Sequence, residues 1–171
     1  MASAVPHDKL QTLLDCLEHW STTQPDAVYF TQPMGQGRVV EYTWAQVADH
    51  VKRMAAYIQS LNLPPKSNIA ILGKNSAQWI MADLAIWTAG HVSAPIYPTM
   101  NAEAVAYVLQ HSEAKLVFIG KMEELWRVAE PGVSKDIPAV VLPLGPELPY
   151  AKKWDDIIAS TAPTQNPAKR T

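Results

Sequence analysis

With 171 residues, 48% of them hydrophobic and 18% charged, the chain has enough apolar material for one folded domain and is not disordered as a whole. Its 14 Lys and Arg against 16 Asp and Glu leave a formal charge of −2, and no basic cluster with interleaved aromatics is present to follow a phosphate backbone. Nucleic acid is therefore not an expected partner.

Residues 1–9 carry no apolar run behind a basic segment, so neither a secretory signal nor a spanning helix is expected there. From Leu10 the apolar residues Leu13, Leu14, Leu17 and Trp20 fall at helical spacing, with Asp8 as a candidate cap. The single cysteine, Cys16, has no internal disulfide partner and fits a reducing, cytoplasmic setting. Residues 27–31 and 39–42 predict two short strands joined by a turn at Gly35 and Gly37, a small β-hairpin near residues 27–42. Thr43 and Gln46 have capping-box spacing, and Trp44, Val47, Ala48, Val51, Met54, Ala55, Ile58 and Leu61 then define the clearest amphipathic helix.

Past Pro64-Pro65 short β-rich runs alternate with helical ones. Strands are expected at 68–72, 92–97, 115–119 and 139–142, with helices at 76–89, 101–111 and 121–130. That alternation predicts an α/β fold: three layers, with a mainly parallel sheet flanked by helices. The helix at 76–89 is apolar in nearly every direction and should be covered on most sides. It also holds the longest apolar stretch, residues 79–89, which contains Asp83 and is too short to cross a bilayer, and peripheral membrane contact stays open. Trp154, Ile157 and Ile158 predict one or two further helical turns. Residues 161–171 have no large apolar side chain and read as a polar linker or truncated end, setting the α/β unit at 1–160.

Two prolines interrupt "AGHVSAPIYPT", residues 89–99. Proline has no N–H for a sheet ladder, so Pro95 is expected at an edge or bulge where pairing fails. Gly90 should end the preceding helix in a left-handed conformation, and Thr99 or Asn101 should cap the next.

The chain lacks the phosphate-loop, dinucleotide-fold, zinc-protease and nucleophile-elbow motifs. Cys16 and His19 stand three apart, but two ligands do not close a metal site, and Cys16 is expected as a small core residue. His91 and His111 follow helix ends, where the macrodipole favours a cationic imidazole, so capping is expected of both. Asp155 and Asp156 point about 100° apart on a helix and read as solvated charge. The segment Gly73-Lys74-Asn75-Ser76 joins a strand to a helix amino terminus, the best local candidate for anion contact, although strand-to-helix geometry alone accounts for it. Trp44, Trp79, Trp87 and Trp126 fit helix core positions, with an acyl-chain tunnel the sharper alternative. No catalytic, cofactor-binding or metal residue is assigned.

Three stretches, "EYTWAQV" (41–47), "IAILGKNSAQWIMADLAIWTAGHVSAPIYPTM" (69–100) and "AVAYVLQHSEAKLVFIGK" (104–121), resemble in order the amino-terminal part of AMP-forming acyl-CoA synthetases of the adenylate-forming superfamily. Asn75-Ser76, Trp79, Ala85-Ile86, Ala89-Gly90 and the run Pro95 to Thr99 resemble the long-chain fatty acyl-CoA synthetase branch. The resemblance implies a ligase that turns ATP and a fatty acid into an acyl-adenylate and pyrophosphate with Mg2+, after which the coenzyme A thiol displaces AMP. It also implies that the phosphate loop and catalytic lysine belong to later elements, which these 171 residues do not contain. The expectation is an inactive amino-terminal fragment whose open apolar face pairs with the remainder of the synthetase chain or forms a homo-oligomer. The alternative is a stand-alone α/β binding or assembly module.

Overall fold

The computed structural model describes residues 12–168. They fall into two compact units divided between His50 and Val51.

In the first unit, helix α1 (Leu13–Thr23) opens with a capping box in which the Thr12 N–H donates to Asp15 Oδ2 at 2.9 Å and the Asp15 N–H to Thr12 Oγ1 at 3.1 Å. Thr12 is thus the cap of the described helix, and Asp8 and Leu10 lie outside the described residues. Leu17, not Cys16, is the buried residue of α1; Cys16 is only half-buried. Strands β1 (Val28–Gly35) and β2 (Arg38–Thr43) form the expected antiparallel hairpin. Its turn holds Gly35, Gln36 and Gly37 at φ of 87°, 52° and 75°, a left-handed run that two glycines make accessible. Helix α2 (Trp44–Ser60) starts at Thr43, whose N–H donates to Gln46 Oε1 at 2.9 Å while the Gln46 N–H returns to Thr43 Oγ1. Trp44 stacks on Tyr29 at 3.6 Å and lies 6.1 Å from Trp20, so it serves a half-buried aromatic cluster and not a fully buried core.

The second unit is the α/β part. Strands β3 (Asn68–Leu72), β4 (Val92–Ile96), β5 (Leu116–Ile119), β6 (Ala139–Val141) and β7 (Lys152–Lys153) form one parallel sheet in the order β4-β3-β5-β6-β7. Ile69 to Leu72 and Leu116 to Ile119 are all buried, the near-continuous apolar reading of strands covered on both faces. Alternation divides them. Ala70, Leu72, Val117, Ile119, Ala139 and Val141 join one core cluster with Val105 and Leu109 of helix α4 (Ala102–His111) and Trp126 of the short α5 (Trp126–Ala129). On the opposite side α3 (Ala77–Thr88) packs against β3 and β4, and Phe118 meets Trp154 of α6 (Trp154–Ser160) edge to face at 6.4 Å. At roughly 25 cal/mol per Å² of apolar surface, residues as large as Phe118, Trp154 and Met81 each contribute on the order of 2 kcal/mol to holding these layers together.

Ser76 caps α3 by accepting the Trp79 N–H at 3.1 Å, and Gly90 follows its end at φ 87°. Asn101 caps α4, accepting the Ala104 N–H at 2.9 Å. Three expectations need correction. The helix foreseen at 121–130 is a 3-10 turn (Glu123–Leu125), then α5, then a second 3-10 turn (Glu130–Gly132), because Glu123 enters at φ 54° and Pro131 cannot continue the ladder. Pro95 does not end the pairing of β4: the ladder runs through Ile71↔Pro95 to Leu72↔Ile96. Its proline is tolerated because β4 is the edge strand, and the Val92 N–H, donating to Ser67 O, places Ser93 and Pro95 on the unpaired side. The imidazole of His91 does not cap α3 either, since it is the His91 backbone N–H that donates to Ile86 O.

Residues 161–168 are tied to the scaffold. Arg53 Nη1 donates to Thr161 O at 2.9 Å, the Thr164 N–H to Lys52 O at 3.1 Å, and the Ala168 N–H to Thr88 O at 2.8 Å.

Candidate functional site

Open parallel sheets place ligands beyond the carboxyl ends of their strands, where the chain leaves in opposite directions on neighbouring strands. Here that point lies between β3, whose chain goes on to the edge strand β4, and β5, whose chain goes on to β6 on the other side. Gly73 and Gly120 follow these two strands and touch: a Cβ on Gly73 would lie 2.9 Å from Gly120 Cα. The Lys74 N–H donates to Lys121 O at 2.8 Å, locking the two loops.

Beside this junction Gly73, Asn75, Trp79, Pro95, Ile96, Tyr97 and Pro98 line a cleft of about 300 Å3. Gly73 enters it from just past β3 and Ile96 from β4, the cap of α3 sets Trp79, and Tyr97 stands 74% exposed. Mostly apolar, with the exposed Asn75 as its polar side chain, the cleft suits a slender or flat apolar group carrying one hydrogen-bonding function.

Charge gathers next to it. Lys74 Nζ and Lys121 Nζ reach the Glu123 carboxylate at 2.5 and 3.2 Å. The bonds from Lys74 and then Lys121 hold the Glu123 carboxyl below its usual range, and the Glu123 partner raises Lys74. The anion-contact candidate thus has local partners at Ser76, which caps, and at Lys74, which is paired with Glu123; Asn75 remains exposed.

Behind the cleft, the Ser93 hydroxyl of β4 donates to Asp83 Oδ1 of α3. Burial raises the Asp83 carboxyl, and the Ser93 bond lowers it in part. His91 has its Nδ1 buried without a partner, and burial lowers its pKa. That is the opposite of the cationic state expected at a helix end. His111 is exposed and stacks on Tyr107 at 5.4 Å, and His19 sits edge-on to Trp20 at 4.9 Å. Asp155 and Asp156 are exposed in the first turn of α6, where negative charge suits the helix dipole. Trp126 is buried, whereas Trp79 and Trp87 are half-buried. Among the described residues no group of three or more His, Cys, Asp or Glu is placed to hold a metal ion, and no helix is long and apolar enough to cross a membrane.

The family of AMP-binding enzymes matches residues 17–168, a stretch that contains the sheet, the cleft and the Lys74–Lys121–Glu123 cluster. The chain belongs to the AMP-binding enzyme family. Among its relatives, the long-chain-fatty-acid–CoA ligase FadD15 of Mycobacterium bovis is 31% identical over 134 residues, covering 78% of this chain and 21% of the ligase. Long chain acyl-CoA synthetase 4 of Arabidopsis thaliana is 31% identical over 93 residues, covering 53% of this chain and 14% of the synthetase. The chain therefore spans about a fifth or less of the length of these relatives. A crystal structure of a benzoate CoA ligase from Burkholderia xenovorans superposes with a TM-score of 0.74 at 18% identity, over 91% of this chain and 30% of that one, which shows the shared fold.

The sequence reading singled out both ends of the cleft, 73–76 and 95–98, without joining them. The link is the register Leu72↔Ile96, which sets the ends of β3 and β4 side by side. Tyr97 was missed as a lining residue; the signal was an aromatic between two prolines just past a strand.

Proposed function

We propose that the chain is the amino-terminal α/β portion of a cytoplasmic long-chain fatty acid CoA ligase. In that ligase the carboxylate of a fatty acid attacks ATP to give an acyl-adenylate and pyrophosphate, and the coenzyme A thiol then displaces AMP. The observation that carries the reading is the pairing of long-chain ligases among the sequence relatives with a CoA-ligase fold over nearly the whole chain.

ATP, Mg2+ and coenzyme A belong to the parent enzyme. The described residues offer no carboxylate or imidazole cluster for the metal, so no chemical step is assigned to them. What this portion supplies is a rigid wall: the sheet, the Gly73–Gly120 junction and the apolar cleft beside it. The 171 residues alone are inactive in this reading, because they contain neither a Ser/Thr/Gly-rich phosphate loop ending in Pro-Lys-Gly nor the catalytic lysine element.

The test is carboxylate-dependent exchange between ATP and pyrophosphate, run with palmitate on the 171-residue chain and on the longest reading frame that contains it. The longer protein is expected to exchange and the short one not. Exchange by the short chain would refute its inactivity, and a frame that ends at Thr171 would favour the binding or assembly module.

A further inference from the structure

Tyr57 of α2 and residues between Glu147 and Thr161 line a groove of about 700 Å3 that shares no residue with the cleft beside β3 and β4. All of its lining lies in the second unit. Tyr57, Leu148 and Ile157 are only 8%, 6% and 4% exposed, so the groove has an apolar interior. Its exposed lining is charged, with Lys152 and Lys153 set against Glu147 and Asp156.

Most of these polar groups are already engaged. Lys153 Nζ is held by Glu147 at 3.2 Å, and the Ser160 hydroxyl donates to Asp156 O at 2.7 Å. Two donors are not. Lys152 Nζ lies 5.0 Å from the centre of the Tyr57 ring and has no carboxylate partner among the described residues. The Tyr57 hydroxyl has no acceptor there either, and it is not sealed in. Burial raises the Tyr57 pKa, so the hydroxyl keeps its proton and stays a donor.

We propose that this groove binds a small amphipathic monocarboxylate, whose anionic group accepts from Lys152 Nζ and Tyr57 Oη while its apolar body lies on Leu148 and Ile157. The proposal does not rest on the ligase reading. An ionised carboxylate has acceptors and no donor, the complement of an ammonium and a phenol left without acceptors. The contact with the Tyr57 ring already holds the ammonium in place, which lowers the cost of ordering it around a ligand. Charge sets the valence. The four charged lining residues cancel, and Glu147 and Asp156 oppose a second negative charge, so a carboxylate is favoured over a phosphate dianion. The apolar interior in turn favours an anion with a hydrocarbon body over a fully hydrophilic one.

Octanoate is the probe, titrated into the 171-residue chain carrying labelled isoleucine δ1-methyl groups. Ile157 reports the groove and Ile96 the cleft. The Ile157 signal is expected to shift saturably with a dissociation constant of about 1 mM or tighter. Lys152→Gln should weaken this binding about tenfold and Tyr57→Phe about threefold, with the Ile96 signal of the ligand-free protein unchanged in both. Octyl phosphate should bind more weakly than octanoate, and octylammonium should leave Ile157 unmoved. A shift at Ile96 alone, or affinity at Ile157 that ignores both substitutions, overturns the proposal. Octyl phosphate binding as tightly as octanoate overturns the choice of a monocarboxylate. The same titration on the longest reading frame decides against a competing occupant, because a groove filled by the continuing chain would lose the Ile157 response, and that loss also overturns the proposal. ATP–pyrophosphate exchange plays no part in these outcomes, so the ligase reading stands or falls separately.

Discussion

Gly73 and Gly120 touch asymmetrically. A Cβ on Gly73 would lie 2.9 Å from the Gly120 Cα and 3.1 Å from its N and C, whereas a Cβ on Gly120 would meet nothing nearer than Leu142 Cδ1 at 3.4 Å. Backbone cannot step aside as a leucine methyl can. Gly73→Ala is expected to lower unfolding free energy by about 1–3 kcal/mol, and Gly120→Ala by clearly less. Urea titrations of the two variants decide it, and equal losses would show that the loops separate freely.

Asp83 couples stability to acid. Burial raises its carboxyl above the ordinary 3.8, so the folded chain holds the proton more tightly than the unfolded one. The stability linked to Asp83 is full below about pH 4 and is lost as pH rises through the folded value. Asp83→Asn, always neutral and still able to accept from Ser93, is expected to raise Tm at pH 7 and to lose that advantage toward pH 4. An advantage of the same size at both ends would contradict this.

His91 works in the opposite sense. Its pKa is lowered from 6.5 by burial, so its contribution is present above that pH and is lost as pH falls through the lowered value. The difference in Tm between wild type and His91→Gln should therefore shift against wild type between about pH 7 and pH 5. A flat difference would mean that the imidazole takes up its proton without cost in the folded chain.

The start of α4 depends on one side chain. Asn101→Ala removes the acceptor for the Ala104 N–H and is expected to cost about 1 kcal/mol, while Asn101→Asp keeps most of it. Chemical denaturation of both variants reads the difference, and equal losses would assign the effect to something other than capping.

Gly90 carries two constraints at once, φ of 87° and an Ala168 methyl 2.9 Å from where a Cβ would stand. Gly90→Ala should cost about 1–2 kcal/mol and should speed exchange of the Ala168 amide. Destabilisation without faster exchange at Ala168 would show that the backbone strain acts alone.

Local chemistry made much of the fold legible. Strand β3 matches its expected residues because its apolar run ends abruptly at Lys66-Ser67 and Gly73, and α3 is bounded by Ser76 and Gly90, each chosen for its backbone. Strand β7 was not legible: two exposed lysines have neither period nor propensity, and they pair only because β6 lies alongside. The break in the helix at 121–130 was hidden because Glu123 does not advertise a left-handed φ. The bonds of residues 161–168 depend on carbonyls of Lys52 and Thr88, far away in sequence, so composition alone showed polarity and no partner. The candidate site divides along the same line. Its two glycine and proline corners were legible, and their meeting was not.

The proline on the outer side of β4 also decides which strands can join that edge. With Pro95 contributing no donor, a strand arriving from solution forms one bond fewer against the freedom it loses on docking. One missing hydrogen thus blunts the edge against pairing with another sheet.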